Sequence, residues 1–200
     1  RAITAVEEFG LDGPVERWRE IRQTIHDEVC LRAFDREKNA FVQSYESSAL
    51  DASLLQIALV GFLPVDDPRV IGTITAIERE LLVENTFVRR YKPEETRDGI
   101  DDSEGAFLAC SFWLVNNLAL QGRLDDAHAL FKRLLLLRND VGLLAEECDW
   151  KTGELLGNFP QAFSHLALVD AAHALWDAEE AGKARLHRGD GRRDSLPPRP

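Results

Sequence analysis

The residues of this chain that could do chemistry gather in two stretches. The segment GLLAEECDWKTGELLGNFPQAFSHLALVDAA, residues 142–172, carries two adjacent carboxylates, Glu146 and Glu147, followed closely by Cys148 and Trp150. The segment RRYKPEETRDGIDDSEGAF, residues 89–107, carries Arg90 beside Tyr91 and a run of acids that includes Asp101, Asp102 and Glu104. A carboxylate held next to a water can take its proton as a general base. On residue type and spacing alone, Glu146 and Glu147 read rather as two solvated loop acids, common in a chain with 35 Asp and Glu. An Arg fork can hold two hydroxyls in fixed geometry and an aromatic ring can cover an apolar face; the other reading pairs Arg90 with Glu94 or Glu95 at the surface. Asp101, Asp102 and Glu104 stand where a helix starts and serve its cap and dipole. Trp150 follows the paired acids and is the better platform candidate, whereas Trp113 sits in mid-helix and reads as core. His165 neighbours Ser164, but adjacency in sequence is not a nucleophile–base geometry, so it reads as a satisfied helix histidine. Nothing positions a base for Cys148, and a cysteine hydrolase is rejected.

Six segments with apolar residues at three- and four-residue spacing must position these groups, and strand signals are nearly absent, so the fold class is all-α. Residues 14–33 carry one apolar stripe of Val15, Trp18, Ile21, Ile25 and Val29. Residues 50–62 are apolar almost all round and predict an interior helix. Asp67 and Pro68 predict the cap and first turn of a one-sided helix through Val70, Ile74, Ile77 and Leu81. Residues 104–120 are interior again, residues 124–137 carry a single stripe, and residues 160–179 are mostly apolar. Outer and inner helices thus alternate as three pairs, the pattern that half of a double-ringed α/α barrel requires. The inner-to-outer links are short, whereas residues 34–49, 83–103 and 138–159 are long loops, which inside a compact domain are usually functional. All three are expected at one end, at the N-termini of the inner helices.

The balance of 24 Lys and Arg against 35 Asp and Glu gives a net charge of −11, which disfavours nucleic acid and anionic membranes as partners. Residues 181–200 hold six basic and two acidic residues, leaving −15 for the rest. That Gly-, Arg- and Pro-rich stretch is expected to be a disordered tail, with residues 1–180 as the folded part. Three cysteines lack metal-ligand spacing and read as reduced thiols. No apolar run spans a bilayer and no signal peptide stands at the start, so a cytoplasmic location is the default. A chain that begins at Arg1 and has no methionine is expected to be a processed or truncated piece.

The segments quoted above resemble the C-terminal half of the catalytic domain of glycoside hydrolase family fifteen, the glucoamylase-like enzymes and bacterial trehalases. In that family a carboxylate in a short Ser/Ala-Glu-Gln/Glu stretch is the catalytic base, and Ala145-Glu146-Glu147 is the matching stretch. GELLGNFPQAFSHLAL, residues 153–168, is similar to the bacterial branch, and Arg90-Tyr91 matches the family's Arg-Tyr substrate segment. The resemblance implies an (α/α)6 barrel, of which this chain supplies three helix pairs. It also implies an inverting hydrolase of α-glucosides, either starch-type oligosaccharides or trehalose. Glu146 would be the general base, and Arg90, Tyr91, Glu147 and Trp150 would bind substrate. Asp35 to Leu55 also resembles the family, where Gln43, Tyr45 and Asp51 would shape the pocket wall. Such a mechanism needs no metal and no cofactor. An inverting enzyme pairs its base with a carboxylic acid about 6.5–9.5 Å away. The family's acid lies in a Trp-Glu segment, yet the four tryptophans here precede Arg19, Leu114, Lys151 and Asp177. The implied partner is therefore the N-terminal half of the same domain, without which little hydrolysis is expected. The rival reading, a helical repeat scaffold that binds proteins, predicts short loops and no cluster of Arg, Glu and Trp at one end.

Overall fold

The computed structural model describes residues 1–95 and 105–190. Asp101, Asp102 and Glu104 lie outside the described residues. Helix α1 (Ala2–Phe9) stops at Gly10, whose φ of 65° is left-handed, and α2 (Val15–Arg32) follows. A hairpin of β1 (Phe34–Asp35) and β2 (Ala40–Phe41) leads through a loop to a 3₁₀ turn, Ala52–Leu55, which runs straight into the single-turn helix α3 (Gln56–Leu59). Next come α4 (Pro68–Glu80) and a second hairpin, β3 (Leu82–Val83) with β4 (Phe87–Val88). Strand β5 (Ala106–Phe107) opens α5 (Leu108–Leu120), and α6 (Leu124–Leu135) follows after a tight turn. The chain then forms β6 (Glu147–Cys148) and β7 (Leu155–Leu156), which join β5 in one antiparallel sheet, and ends in α7 (Ala162–Asp190).

Helix α5 is the centre of the core. Its residues are buried at every position except Trp113 and Leu120, and α6 and α7 pack against it. Helix α6 buries Ala127, Leu130 and Leu134, one stripe at the expected spacing. Its start is tied to α4 by the Arg123 guanidinium, which donates to both carboxylate oxygens of Glu78 at 2.9 Å. Helix α4 begins as its sequence dictates, with Pro68 in the first turn and the Asp67 side chain accepting from the Arg69 N–H at 2.9 Å. It buries Val70, Ile74 and Ile77 against the β1–β2 hairpin and the 3₁₀ turn. Two small residues make that contact close. Gly72 lies so tight against the backbone carbonyl of Asn39 that a methyl group there would overlap it. Thr73 Oγ1 accepts from the buried Phe41 N–H at 2.9 Å and donates to the Arg69 carbonyl at 2.7 Å.

Four features differ from the sequence reading. Residues 50–62 do not form one interior helix: Asp51 is extended, its side chain caps the 3₁₀ turn through the Ser53 N–H, and Gly61 at φ 73° closes the segment. An apolar run with no period carries no information about where its helix starts. The stripe on α2 is only partly covered: no residue of α2 is fully buried, Val15, Trp18 and Val29 are half-buried, and Ile21 and Ile25 are 44% and 54% exposed. Helix α7 buries Ser164, Ala167, Ala171 and Leu175 on one side, while Phe163, Leu166, Val169 and Trp176 on the other stay about half exposed or more. It also continues to Asp190, past the point where the tail was expected to begin; residues 191–200 lie outside the described residues. The strands, each of two residues, are too short to leave a period-two pattern in sequence.

Candidate active site

The three-stranded sheet fixes Glu146. Strand β6 pairs with β5 and β7, and the residue just before it is held on both sides. The Glu146 carbonyl accepts from the Leu108 N–H, and its own N–H donates to the Asn158 carbonyl, each at 3.0 Å. Its side chain is held as well: Oε2 accepts from the Asn158 backbone N–H at 3.0 Å and from Asn158 Nδ2 at 2.9 Å. Among the described residues no group donates to Oε1. Gly157 makes this approach possible, because its φ is 73° and a Cβ there would stand 2.9 Å from Oε2. The start of α7 braces the preceding residues: Ser164 Oγ donates to the Ala145 carbonyl at 2.8 Å, and the Gln161 N–H donates to the Leu144 carbonyl at 3.0 Å.

Glu146 opens on a cavity of about 380 Å³. Its wall draws on the second and third long connections, on the 3₁₀ turn that follows the first, and on the starts of α5 and α7, with Asp51, Ser53, Arg90, Phe107, Cys110, Trp113, Gln161 and Phe163 among the lining residues. Arg90 is anchored through its carbonyl, which accepts from the Ala52 N–H at 2.7 Å. Its guanidinium lies 5.5 Å from the Tyr91 ring centre and 5.9 Å from that of Phe107, with Nε 3.8 Å from Asp51 Oδ2. The surface pairing with Glu94 belongs instead to Arg89, at 3.8 Å. Burial first, and then the negative charge of Asp51, push the Cys110 thiol up to about 12, so it lines the cavity as a neutral thiol. Burial and Asp149 raise Cys148 as well, consistent with its being no nucleophile. His165 uses both ring nitrogens locally, Nδ1–H donating to the Gln161 carbonyl at 2.7 Å and Nε2 accepting from the Leu144 N–H at 3.2 Å.

The pattern of glycosyl hydrolases family 15 matches residues 1–173. This chain belongs to that family. The trehalase of Mycolicibacterium smegmatis is 46% identical over 167 residues, 83% of this chain and 25% of the trehalase. Those of Thermoplasma acidophilum and Mycobacterium tuberculosis are 42% and 43% identical, over 88% and 93% of this chain and 30% and 27% of their own lengths. The family-15 chain described here thus spans well under half of the trehalases it matches. A glycosidase of known structure superposes with a TM-score of 0.72 at 20% identity, over 87% of this chain and 48% of its own. A glycosidase variant in complex with glucose gives 0.70 over 82% and 46%. At that identity the likeness shows the fold, which is mostly helical in this family-15 chain too.

Of the residues singled out in sequence, the structure brings Glu146 and Arg90 into one cavity. Tyr91 and Trp150 line a smaller adjoining hollow of about 170 Å³, which shares Arg90 with the first. Glu147 lines neither, and its Oε2 accepts from the Gly105 N–H at 2.8 Å. Trp113, read as core, packs against the core and also lines the main cavity, its ring edge-on to Phe163 at 5.8 Å, whereas Trp150 lines the smaller hollow. Trp113 lies on the first turns of α5, next to the cavity, and that is why a mid-segment residue reaches it. Asp51 was singled out only loosely, and Ser53, Gln161 and Phe163 not at all. Their common feature is a place at the start of an element that follows a long loop. Tyr45 stacks under the Arg32 guanidinium at 4.2 Å and, like Gln43, lines neither hollow.

Proposed function

We propose that this family-15 chain supplies the general base of an inverting glycoside hydrolase that releases glucose from α-glucosides, with trehalose as the leading substrate. The observation that carries this reading is the Glu146 carboxylate, braced through one oxygen by Asn158, with no described donor on the other, in a residue that lines the same cavity as Arg90. Water held at Oε1 gives its proton to Glu146 as its oxygen bonds to the anomeric carbon. On the opposite face the bond to the glycosidic oxygen breaks, and that oxygen takes a proton from the general acid. One α-glucosidic bond and one water thereby become two sugars, the new hydroxyl in the β configuration. Arg90 orients the ring through its hydroxyls, and Trp113, Phe163 and Phe107 cover its apolar faces. The identities of 42–46% to trehalases favour trehalose over starch-type oligosaccharides.

The acid, and the other wall of the pocket, come from the N-terminal half of the same catalytic domain. The partly uncovered apolar faces of α2 and α7 support that partner, since exposed patches of this kind mark contact surfaces. No helix among the described residues is long and apolar enough to cross a membrane, and a cytoplasmic location remains the proposal from sequence. The test is glucose release from trehalose and from maltotriose by a polypeptide joining both halves, with the first-formed anomer followed by proton NMR. Equal amounts of α- and β-glucose are expected at first from trehalose, because the attacked ring is inverted while the leaving ring keeps its α configuration. α-Glucose alone as first product would refute inversion, and release from maltotriose alone would move the substrate to starch-type glucans.

A further inference from the structure

Asp51 is the second carboxylate of the cavity, and the reaction set out above gives it no part. Only 6% of its surface is exposed. One oxygen, Oδ1, is committed to the Ser53 N–H at 2.7 Å, as the cap of the 3₁₀ turn. The other, Oδ2, accepts no hydrogen bond from any described residue, and Arg90 Nε stands beyond hydrogen-bond reach at 3.8 Å. That oxygen is ion-paired with Arg90 but not sealed in the protein, so in a residue that lines the cavity it keeps acceptor capacity for a ligand's hydroxyl. The Ala52 N–H, donating to the Arg90 carbonyl at 2.7 Å, ties the backbones of the two residues, so carboxylate and guanidinium are presented as one unit.

A lone acceptor next to a fork of donors matches neighbouring hydroxyls on a sugar ring, each of which both donates and accepts. With Glu146 on the same wall, the two carboxylates outnumber Arg90, and an anionic ligand is disfavoured. We propose that Asp51 is a substrate-binding residue: Oδ2 accepts the hydrogen of one hydroxyl of the glucosyl ring in the cavity, while Arg90 donates to its neighbour. This rests on the reading that the cavity holds a glucoside. Hydrogen bonds to an ionised acceptor are the short, strong ones, so the group should discriminate sharply between a ring that has this hydroxyl and one that lacks it.

The experiment measures, by calorimetry on the joined polypeptide, the affinities of glucose and of its 2-, 3-, 4- and 6-deoxy analogues, beside trehalose kinetics. In the wild type one deoxy analogue should bind about 10–100-fold more weakly than glucose. Asp51→Asn keeps an oxygen to cap the Ser53 N–H and keeps the shape. In this variant glucose should fall to the level of that analogue, and KM for trehalose should rise by about 10–100-fold, with the melting temperature unchanged. Asp51→Ser, which also retains a cap, should give the same closed gap. A flat wild-type pattern across the analogues overturns the proposal, as does a variant that weakens glucose and all analogues equally. Because binding is read without turnover, failure of Glu146 as the base leaves this result intact. Absence of any glucose binding sinks both the cavity reading and this one.

Discussion

Replacing Asn158 by alanine removes one of the two donors that hold Glu146 Oε2 and leaves the other, the backbone N–H at 3.0 Å, in place. Hydrogen bonds to a charged group contribute about 1.5–3 kcal/mol, and the remaining tether puts the loss at the lower end. About 1.5 kcal/mol corresponds to a roughly tenfold fall in the fraction of carboxylate aimed at the water, and the rate should follow that fraction. The side chain of Asn158 is exposed and does not line the main cavity. Stability and ground-state binding should therefore not change. Initial rates of glucose release from trehalose by the joined polypeptide should show kcat down about tenfold and KM within twofold of wild type. A kcat within twofold of wild type would refute the idea that Asn158 aims the base. A raised KM with an intact kcat would place Asn158 in substrate binding instead.

Three further predictions concern the scaffold. Gly72→Ala forces a methyl into the Asn39 carbonyl across the α4–hairpin contact and should lower stability by about 1–3 kcal/mol, read as a drop in the denaturant midpoint. Thr73→Val leaves the buried Phe41 N–H without its acceptor and should cost about 1–3 kcal/mol in the same assay, more than the exposed Thr75→Val. Glu80 titrates in the folded state at about 2, because burial, which opposes its ionisation, is outweighed by hydrogen bonds from Lys92, Arg79 and Lys38. Its folded value lies below the ordinary 4.5, so its contribution is present above about pH 4.5 and is lost as the pH falls toward 2. Melting temperatures between pH 5 and pH 2.5 should fall more steeply for wild type than for Glu80→Gln.

Sequence reached some of this structure for physical reasons that can be named. The Asp67-Pro68 pair fixes where α4 starts, and the single stripe of α6 fixes which face it buries. Helix α5 lacks charge because it has neighbours all round. Residues 50–62 are as apolar as α5, and their run contains no feature to mark that Asp51 is extended and that only two short turns follow. For α2 and α7 the apolar pattern is real, but part of each apolar face stays exposed, which no sequence period reveals. In the site, Glu146 and Arg90 were legible through flanking motifs. Asp51 and Trp113 reach the cavity through three-dimensional convergence of element starts, which has no trace in linear spacing. Asn158 stood within a quoted motif, yet its bond to Glu146 depends on Gly157 adopting a left-handed turn, a local geometry the motif does not spell out.

That Glu146 takes the proton from the attacking water is read from trehalose hydrolysis by the joined polypeptide beside that of its Glu146→Gln variant, both checked for equal glucose affinity. An amide keeps the shape but cannot accept the proton, so kcat should fall by about 10²–10⁴ with glucose binding retained. A variant that hydrolyses trehalose within a few-fold of wild type would contradict the assignment and move the base to another group.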